Sequence, residues 1–352
     1  MGVNSKSSNR DRNRYYYLYD VLMHYKETLG ERLIENKKIL GNAVCLIDPH
    51  THSTHSDGRG SVSDNYEVAM TCGLDYVYIT DHNTVEPKKY ARMLEGISWG
   101  QETREEPHIV LLHPEHPYVP EPGTALHDIL AGARDRGSFA FVAHPAGQGT
   151  PRESPEEILA RLRTIGPVFA MEVLNGIFQV FRSWDVCDRL AVKIWDRLLR
   201  EGRHVAPIGT SDAHEPFGIG TAWTGVYVSE VSQNTITAAL RDGNCFASEA
   251  PLLRFGINGR PMGAELVAAE GDELLLQLQA VDSAGLRRIS LIGDGRVIHS
   301  FAPDGEHDFS ATYPVAAGHT AACYRVEVVA EDDRRAFSGP IYTIPEKGVG
   351  RD

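Results

Sequence analysis

The segment AVCLIDPHTHSTHSDGRG, residues 43–60, indicates the architecture of the chain most clearly. It begins with an apolar run typical of a buried β-strand, and the segment that follows, residues 49–60, contains three histidines, one aspartate and two glycines. His50 and His52 stand two positions apart, so their side chains point the same way in an extended chain. The pattern therefore predicts a strand that places several potential metal ligands at its C-terminal end.

Strand-like runs recur along the chain and alternate with longer polar or amphipathic segments, which indicates repeated strand–helix units. The seven candidate strands are residues 43–48, 76–80, 96–100, 139–143, 169–174, 205–210 and 224–229, and IVLL at 109–112 is an additional strand or hairpin arm. Six of the seven runs end in candidate ligands: His50, His52, Asp81, His82, Glu102, His144, Glu172, Asn175, Asp212 and His214. Because the C-terminal ends of parallel barrel strands share one face, we expect these side chains to converge.

The segments outside this region predict two further parts. Residues 1–14 are polar and charged and are expected to form a disordered tail, and residues 15–40 have the apolar spacing of a helix. From about residue 250 to 345 the apolar residues alternate, with Gly, Asp and Pro turns between the runs, which predicts a small antiparallel β-sandwich. The expected organisation is a tail and helix over 1–42, a barrel over 43–249 and a sandwich over 250–352.

Composition excludes several classes of protein. The 352 residues include 35 Lys and Arg against 48 Asp and Glu, a net charge of −13 without a long basic run, so nucleic acid is not the expected partner. No apolar stretch reaches the length of about 20 residues that a membrane span needs. The five cysteines are far apart and form no CxxC pair, which predicts reduced thiols. We therefore expect a cytoplasmic protein without a membrane partner, which acts on a small molecule and could form a homo-oligomer.

Each candidate ligand taken alone has an ordinary explanation. A histidine at a strand end is usually a satisfied polar residue, and the Asp-Gly of SDG is usually a turn. Separate strand ends that together supply imidazoles and carboxylates, with no cysteine among them, match the ligands of Zn, Mn and Fe sites in hydrolases. The combination favours a metal site over the separate explanations.

The same residues resemble the motif series of the PHP (polymerase and histidinol phosphatase) superfamily, in the right order. The motifs are D-x-H-x-H-(x)4-D-G at 48–58, T-D-H-N at 80–83, G-x-E at 100–102, A-H-P at 143–145, E-x-x-N at 172–175 and S-D-A-H at 211–214. The resemblance covers residues 43 to about 229. Residues 241–263 and the SGPIYTI segment at 338–344 are similar to the PHP subgroup that includes carbaryl hydrolase.

This resemblance implies an α/β fold, a distorted seven-stranded (β/α) barrel with up to three divalent ions (Zn, Mn or Fe). It implies that His50, His52 and Asp212 hold one ion and that Glu102 bridges this ion to a second. The ligands of the second ion would be completed by His144 and Glu172, and the third ion would be held by Asp57, His82 and His214. Gly58 would permit the turn that returns Asp57, and Asp81 would orient a ligand. Glu115, which lies closer to His144 in sequence, is the alternative bridging carboxylate.

The ligand set favours a metal-dependent phosphoesterase in which a hydroxide bridging the ions attacks a phosphate mono- or diester. Asp212 is placed to accept the proton of the water, His55 to protonate the leaving group, and Arg59 to bind a phosphate oxygen. One alternative is a carboxyl or carbamate ester hydrolase, which the aromatic residues Phe178, Phe181 and Trp184 leave open. A pocket rich in Arg and Lys would favour phosphate. The other alternative is a non-catalytic binding scaffold.

Overall fold

A computed structural model describes residues 9–41, 44–318, 320 and 322–346. The helices are α1 (Asn9–Leu40), α2 (Val62–Thr71), α3 (Lys88–Ala91), α4 (Leu126–Asp135), α5 (Pro155–Leu162), α6 (Val186–Arg200) and α7 (Gln233–Arg241), and a 3-10 turn covers Pro216–Gly218. The first nine strands are β1 (Val44–Thr51), β2 (Tyr76–Ile79), β3 (Ile97–Glu102), β4 (Ile109–Leu112), β5 (Phe139–Val142), β6 (Val168–Asn175), β7 (His204–Thr210), β8 (Trp223–Tyr227) and β9 (Cys245–Ser248). Ten more follow: β10 (Leu252–Ile257), β11 (Arg260–Pro261), β12 (Glu265–Ala268), β13 (Glu273–Val281), β14 (Leu286–Gly293), β15 (Arg296–Phe301), β16 (Asp308–Ala316), β17 (Ala322–Ala330), β18 (Arg335–Ser338) and β19 (Ile341–Pro345).

The N-terminal strands form a curled sheet in the order β8-β1-β2-β3-β4-β5-β6-β7. Parallel pairing joins β1, β2 and β3 and also joins β5, β6 and β7, whereas β4 is antiparallel to both of its neighbours and β8 is antiparallel to β1. A parallel bridge between Thr51 and Ala213 brings the end of β1 to the residues after β7. The sheet is therefore a half-barrel with helical crossovers, and the expected count of seven barrel strands is not confirmed.

The C-terminal strands form two sheets around a common core. One sheet has the order β11-β10-β13-β16, and the other contains β12, β19, β17 and β18 with β14 and β15. Buried residues of both sheets, such as Leu276 and Val328, belong to one hydrophobic cluster. Pairing is antiparallel except between β12 and β19. Because β18 pairs with β9, the second sheet is continuous with the half-barrel sheet.

Helix α1 contacts both parts of the molecule. Lys37 forms an ion pair with Asp75 beside β2, and Arg32 forms one with the buried Asp282 after β13. The helix begins at Asn9, so the expected disordered tail over 1–14 is wrong for residues 9–14, and residues 1–8 lie outside the described part. None of the described helices is both long and apolar enough to cross a membrane. The five cysteines are free and buried.

Candidate metal centre

The ends of β1 and β7 are joined by backbone hydrogen bonds that fix the first group of ligands. The amide of Asp212 donates to the carbonyl of His50 at 2.9 Å, and the amide of His52 donates to the carbonyl of Ala213 at 2.9 Å. Asp212 adopts a positive φ of 47°, an uncommon conformation for a residue other than glycine. The chain is thus turned sharply after β7, and the Asp212 side chain faces the histidines of β1.

Four buried side chains meet at the centre of this face. The Nε2 atoms of His50 and His52 lie 3.1 Å apart, and each lies 3.2 Å from Oε2 of Glu102. Oδ1 of Asp212 lies 3.4 Å from the first and 3.3 Å from the second of these nitrogens. Ligand atoms at about 2.0–2.1 Å from a tetrahedral ion are roughly 3.3 Å from each other. The spacing of these donor atoms therefore fits one divalent ion.

A second group shares Glu102 but uses its other oxygen. Oε1 lies 2.9 Å from Nδ1 of His108 and 3.0 Å from Nε2 of His144. The three residues form one of the ligand groups in which the donor atoms lie within 4.8 Å of one another. His108 is not among the ligands predicted from the sequence, although it stands at the entry to β4, two residues before Val110, which pairs with Glu102. A prediction that IVLL pairs antiparallel with the strand that ends at Glu102 would have placed His108 near Glu102.

The third group is centred on Asp57. Its carboxylate lies 3.4 Å from Nε2 of His82 and 3.7 Å from Nε2 of His214. Among the described residues, two ligand groups lie here. One consists of His52, Asp57 and His214, and the other consists of His52, His82 and Glu102. A Cβ atom on Gly58 would collide with the carbonyl oxygen of His52, so the turn that returns Asp57 requires glycine. The structure thus brings Asp57 between His82 and His214.

Glu172, which the resemblance assigns to the second ion, contacts two of the histidines and is hydrogen-bonded through both oxygens. Its Oε1 accepts from Thr210 at 2.9 Å and lies 2.7 Å from Nδ1 of His50, and its Oε2 accepts from the amide of His144 at 2.6 Å and from Asn175 at 2.7 Å. It belongs to none of the ligand groups found among the described residues. Glu172 therefore orients His50 and the His144 backbone.

Other polar side chains orient the ligands from outside. Oδ2 of Asp212 accepts from Gln148 at 2.9 Å and from Asn175 at 3.2 Å, which leaves Oδ1 toward the histidines. Asp81 is buried and accepts from the Ser53 amide, from the Ser53 hydroxyl and from the Ser56 hydroxyl. Since Ser53 follows His52, Asp81 fixes the loop that carries the first ligands, in the supporting role that we expected.

The charge and hydrogen bonding of the centre suit metal binding. Within the described residues, Nδ1 of His52, Nδ1 of His82 and Oδ1 of Asp212 are buried and have no hydrogen-bond partner. Burial alone would lower the pKa of His52, but Asp212 and Glu102 raise that pKa to about 9. Burial likewise opposes the ionisation of Glu102, yet His50, His108 and His144 lower its pKa well below the usual range. Buried carboxylates that stay charged and ring nitrogens without partners form a donor set to which a divalent ion fits.

The remaining candidates lie at the edge of the centre or away from it. Arg59 is exposed and forms an ion pair with Glu215 at 2.7 Å, and the His55 ring packs near Tyr90. Glu115 is exposed and pairs with Lys88, so the carboxylate in the cluster is Glu102 and not Glu115. Among the three aromatic residues, Phe178 and Phe181 are exposed, whereas Trp184 stacks on Phe337.

A cavity of about 380 Å³ adjoins the centre. His144 and Gln148, which contact Glu102 and Asp212, form part of its wall. The wall also contains two arginines, Arg152 and Arg161, and two glutamates, of which Glu153 contacts Arg161. Its volume is that of a typical small-molecule pocket.

Comparisons with known proteins agree with this description. Residues 199–245, which include Asp212 and His214, match the PHP_C family model, described as PHP-associated. No curated protein sequence matches the chain.

Similar solved structures include a two-domain protein from Bacteroides vulgatus that contains a predicted PHP-like metal-dependent phosphoesterase (18% identity, TM-score 0.44, 85% of this chain and 94% of that chain). Others are the lesion-specific endonuclease EndoQ from Pyrococcus furiosus (16%, 0.41, 56% and 56%) and an amidohydrolase from Chromobacterium violaceum (18%, 0.35, 48% and 88%).

Proposed function

We propose that this protein is a metal-dependent hydrolase of the PHP type and, more specifically, a phosphoesterase. The observation that carries the proposal is that the Nε2 atoms of His50 and His52 lie 3.1 Å from each other and 3.2–3.4 Å from one carboxylate oxygen each of Glu102 and Asp212. A scaffold without catalytic function would have no use for so many buried charged groups, which are costly to desolvate. This argues against the non-catalytic alternative.

The candidate ligands form sets that would hold up to three ions. His50, His52, Glu102 and Asp212 would hold the first, Glu102, His108 and His144 the second, and Asp57, His82 and His214 the third. The absence of cysteine among them favours Zn, Mn or Fe. Bound divalent ions would lower the pKa of a coordinated water and neutralise charge on a phosphoryl group.

The protein's own groups supply proton transfer and orientation. Gln148 and Asn175 hold Oδ2 of Asp212 and leave Oδ1 toward the histidines, so that this carboxylate, as a ligand of the first ion, would be placed to accept a proton from the attacking water. Arg152, exposed at the neighbouring cavity, supplies positive charge for a substrate anion. We further propose that His55 protonates the leaving group and that Arg59, which is exposed and paired with Glu215, binds a phosphate oxygen.

Of the two arginines that line the cavity beside His144, Arg161 contacts Glu153, and Arg152 has no carboxylate partner among the described residues, which supports phosphate over a carboxyl or carbamate ester. The competing proposal is a carboxyl or carbamate ester hydrolase of the carbaryl hydrolase subgroup. The exposed aromatic side chains of Phe178 and Phe181 support it. We further propose a small-molecule substrate, a cytoplasmic location, and no nucleic-acid or membrane partner. The net charge of −13 supports the exclusion of nucleic acid.

The experiment compares hydrolysis of an aryl phosphate monoester, an aryl phosphodiester and an aryl acetate by protein loaded with Zn²⁺, Mn²⁺ or Fe²⁺. His52→Ala tests the centre, and His116→Ala, an exposed histidine outside the ligand groups, is the matched control. We expect phosphoester turnover that His52→Ala abolishes and His116→Ala retains. Turnover of the acetate alone would move the protein to the carboxyl ester hydrolases, and no metal-dependent turnover of any substrate would overturn the proposal.

A further inference from the structure

Two buried carboxylates outside the ligand groups, Glu249 and Asp188, lie between the C-terminal sheets and the metal centre. Both side chains belong to nearly inaccessible residues, Glu249 at 0% and Asp188 at 2% exposure. Buried carboxylates are costly unless their oxygens are hydrogen-bonded, so their partners indicate what they hold in place.

Glu249 joins β18 to the loop over residues 176–185, which follows the Glu172 strand. Its Oε1 accepts from the amides of Ser183 at 2.7 Å and Trp184 at 3.1 Å, and its Oε2 accepts from the amide of Arg335 at 3.0 Å. The Arg335 guanidinium also lies over the Trp184 ring, 4.4 Å from its centroid. The end of this loop is therefore fixed to the C-terminal sheets.

Asp188 continues the chain of hydrogen bonds toward the centre. Its Oδ2 accepts from the hydroxyl of Ser183 at 3.0 Å, and its Oδ1 accepts from the amide of Asn175 at 2.9 Å. The side-chain amide of Asn175 donates to Glu172 at 2.7 Å and to Asp212 at 3.2 Å. Ser183 thus links Glu249 to Asp188, and Asn175 links Asp188 to two carboxylates of the metal centre.

We infer that Glu249 is a positioning residue through which the C-terminal sheets hold Asn175, and thereby Asp212 and Glu172, in the orientation that metal binding requires. The inference rests on the metal centre of the proposed function but not on the reaction. Groups that orient metal ligands in this way commonly change metal affinity by about 10- to 100-fold when they are lost.

The test is a double-mutant cycle on Zn²⁺ affinity, measured on the full chain by competition with a chromophoric chelator. Glu249→Gln keeps the size of the side chain but places an amide NH₂ against a backbone N–H. We expect it to weaken Zn²⁺ binding about tenfold in the native background and to have little further effect in Asn175→Ala, because the two residues act in series. Asp282→Asn is the matched control, since Asp282 is a buried carboxylate of the same sheets that pairs with Arg32 and not with the 176–185 loop.

The readout separates positioning from stability. A residue that only stabilises the fold would lower the free energy of unfolding in Glu249→Gln and Asp282→Asn alike and leave Zn²⁺ affinity unchanged in both. Unchanged affinity in Glu249→Gln, or equal losses with and without Asn175, would overturn the inference. If Glu249→Gln does not fold, Ser183→Ala breaks only the bond to Asp188, and the same loss and non-additivity are expected from it. Because affinity is measured without substrate, failure of the proposed hydrolase activity would leave this test intact.

Discussion

His52 shows how a single side chain divides the centre into separate ligand groups. Its Nε2 lies with His50, Glu102 and Asp212, whereas its Nδ1 faces Asp57 at 3.4 Å. A metal-bound histidine usually carries its proton on the other ring nitrogen and directs it to a carboxylate or carbonyl. In the proposed assignment His52 would hold the first ion through Nε2, and its Nδ1 faces Asp57 without a hydrogen bond to a described residue.

His108 was not predicted from the sequence, and its role as a metal ligand can be tested by mutation. His108→Ala removes one of the three donors in the group formed by Glu102, His108 and His144, so we expect the protein to lose about one ion per chain and to retain the ion at His50 and His52. Metal content after dialysis, measured by atomic emission, checks this. His116→Ala should keep the native content, and a His108→Ala protein with native content would contradict the assignment.

Arg152 provides a prediction about substrate binding. No hydrogen bond or ion pair of its side chain is found among the described residues, although it lines the cavity beside His144. An exposed charge pair contributes roughly 0.2–1 kcal/mol, so Arg152→Gln should raise KM for an aryl phosphate up to about fivefold with little change in kcat. Steady-state kinetics give both constants. The exposed Arg260→Gln should change neither, and an equal KM in both variants would remove Arg152 from the substrate site.

At the level of the elements, the strands were predictable and their directions were not. Each of the seven candidate strands begins within one residue of an observed strand, because apolar β-branched runs mark buried strands. The connection between β3 and β4 contains no crossover helix, and these two strands pair antiparallel. That reversal brings His108 back to Glu102. Glu172 is either a metal ligand or a hydrogen-bond acceptor that orients the ligands. A shift of about an ångström in the position of its carboxylate separates these roles, and the spacing of residues in the sequence does not determine such a shift.

Helix α1 carries a buried cation whose pKa predicts a pH effect on stability. Burial lowers the pKa of Lys26 from 10.5 to about 8, and its ammonium donates to the carbonyls of Ile219 at 2.7 Å and Val180 at 3.3 Å. Between these two pKa values the unfolded chain binds more protons than the folded one, so this group makes the free energy of unfolding rise with pH. Lys26 therefore contributes least to the free energy of unfolding at pH values below its pKa in the folded protein.

The test compares the native protein with Lys26→Met by urea unfolding. From about pH 7.5 to about pH 9.5, the free energy of unfolding of the native protein relative to the variant should rise by about 2 kcal/mol. The comparison cancels the opposite effect of the buried cysteines, whose raised pKa values lower stability as the pH increases. A constant difference across this range would show that Lys26 is not charged differently in the two states.

Across the whole molecule, the half-barrel and the C-terminal sheets share their interior. One hydrophobic cluster contains Trp195 of α6 together with Phe337 and Tyr342 of the C-terminal strands. The buried Arg325 of β17 forms two hydrogen bonds of 2.8 Å with Asp196 of α6. The boundary near residue 249, which we propose from the change in periodicity, therefore falls inside a continuous sheet and core.

This shared interior predicts that the full chain unfolds in one cooperative transition and that residues 43–249 do not fold alone. A truncation after residue 249 would leave β9 without β18 and expose the side of α6 that packs on the C-terminal strands. Calorimetry of the full chain should show one peak, and Arg325→Met, which leaves Asp196 unpaired, should lower its midpoint by several degrees without splitting it. Two separate peaks, or a soluble and cooperatively folded 43–249 fragment, would show instead that the C-terminal sheets form an independent module.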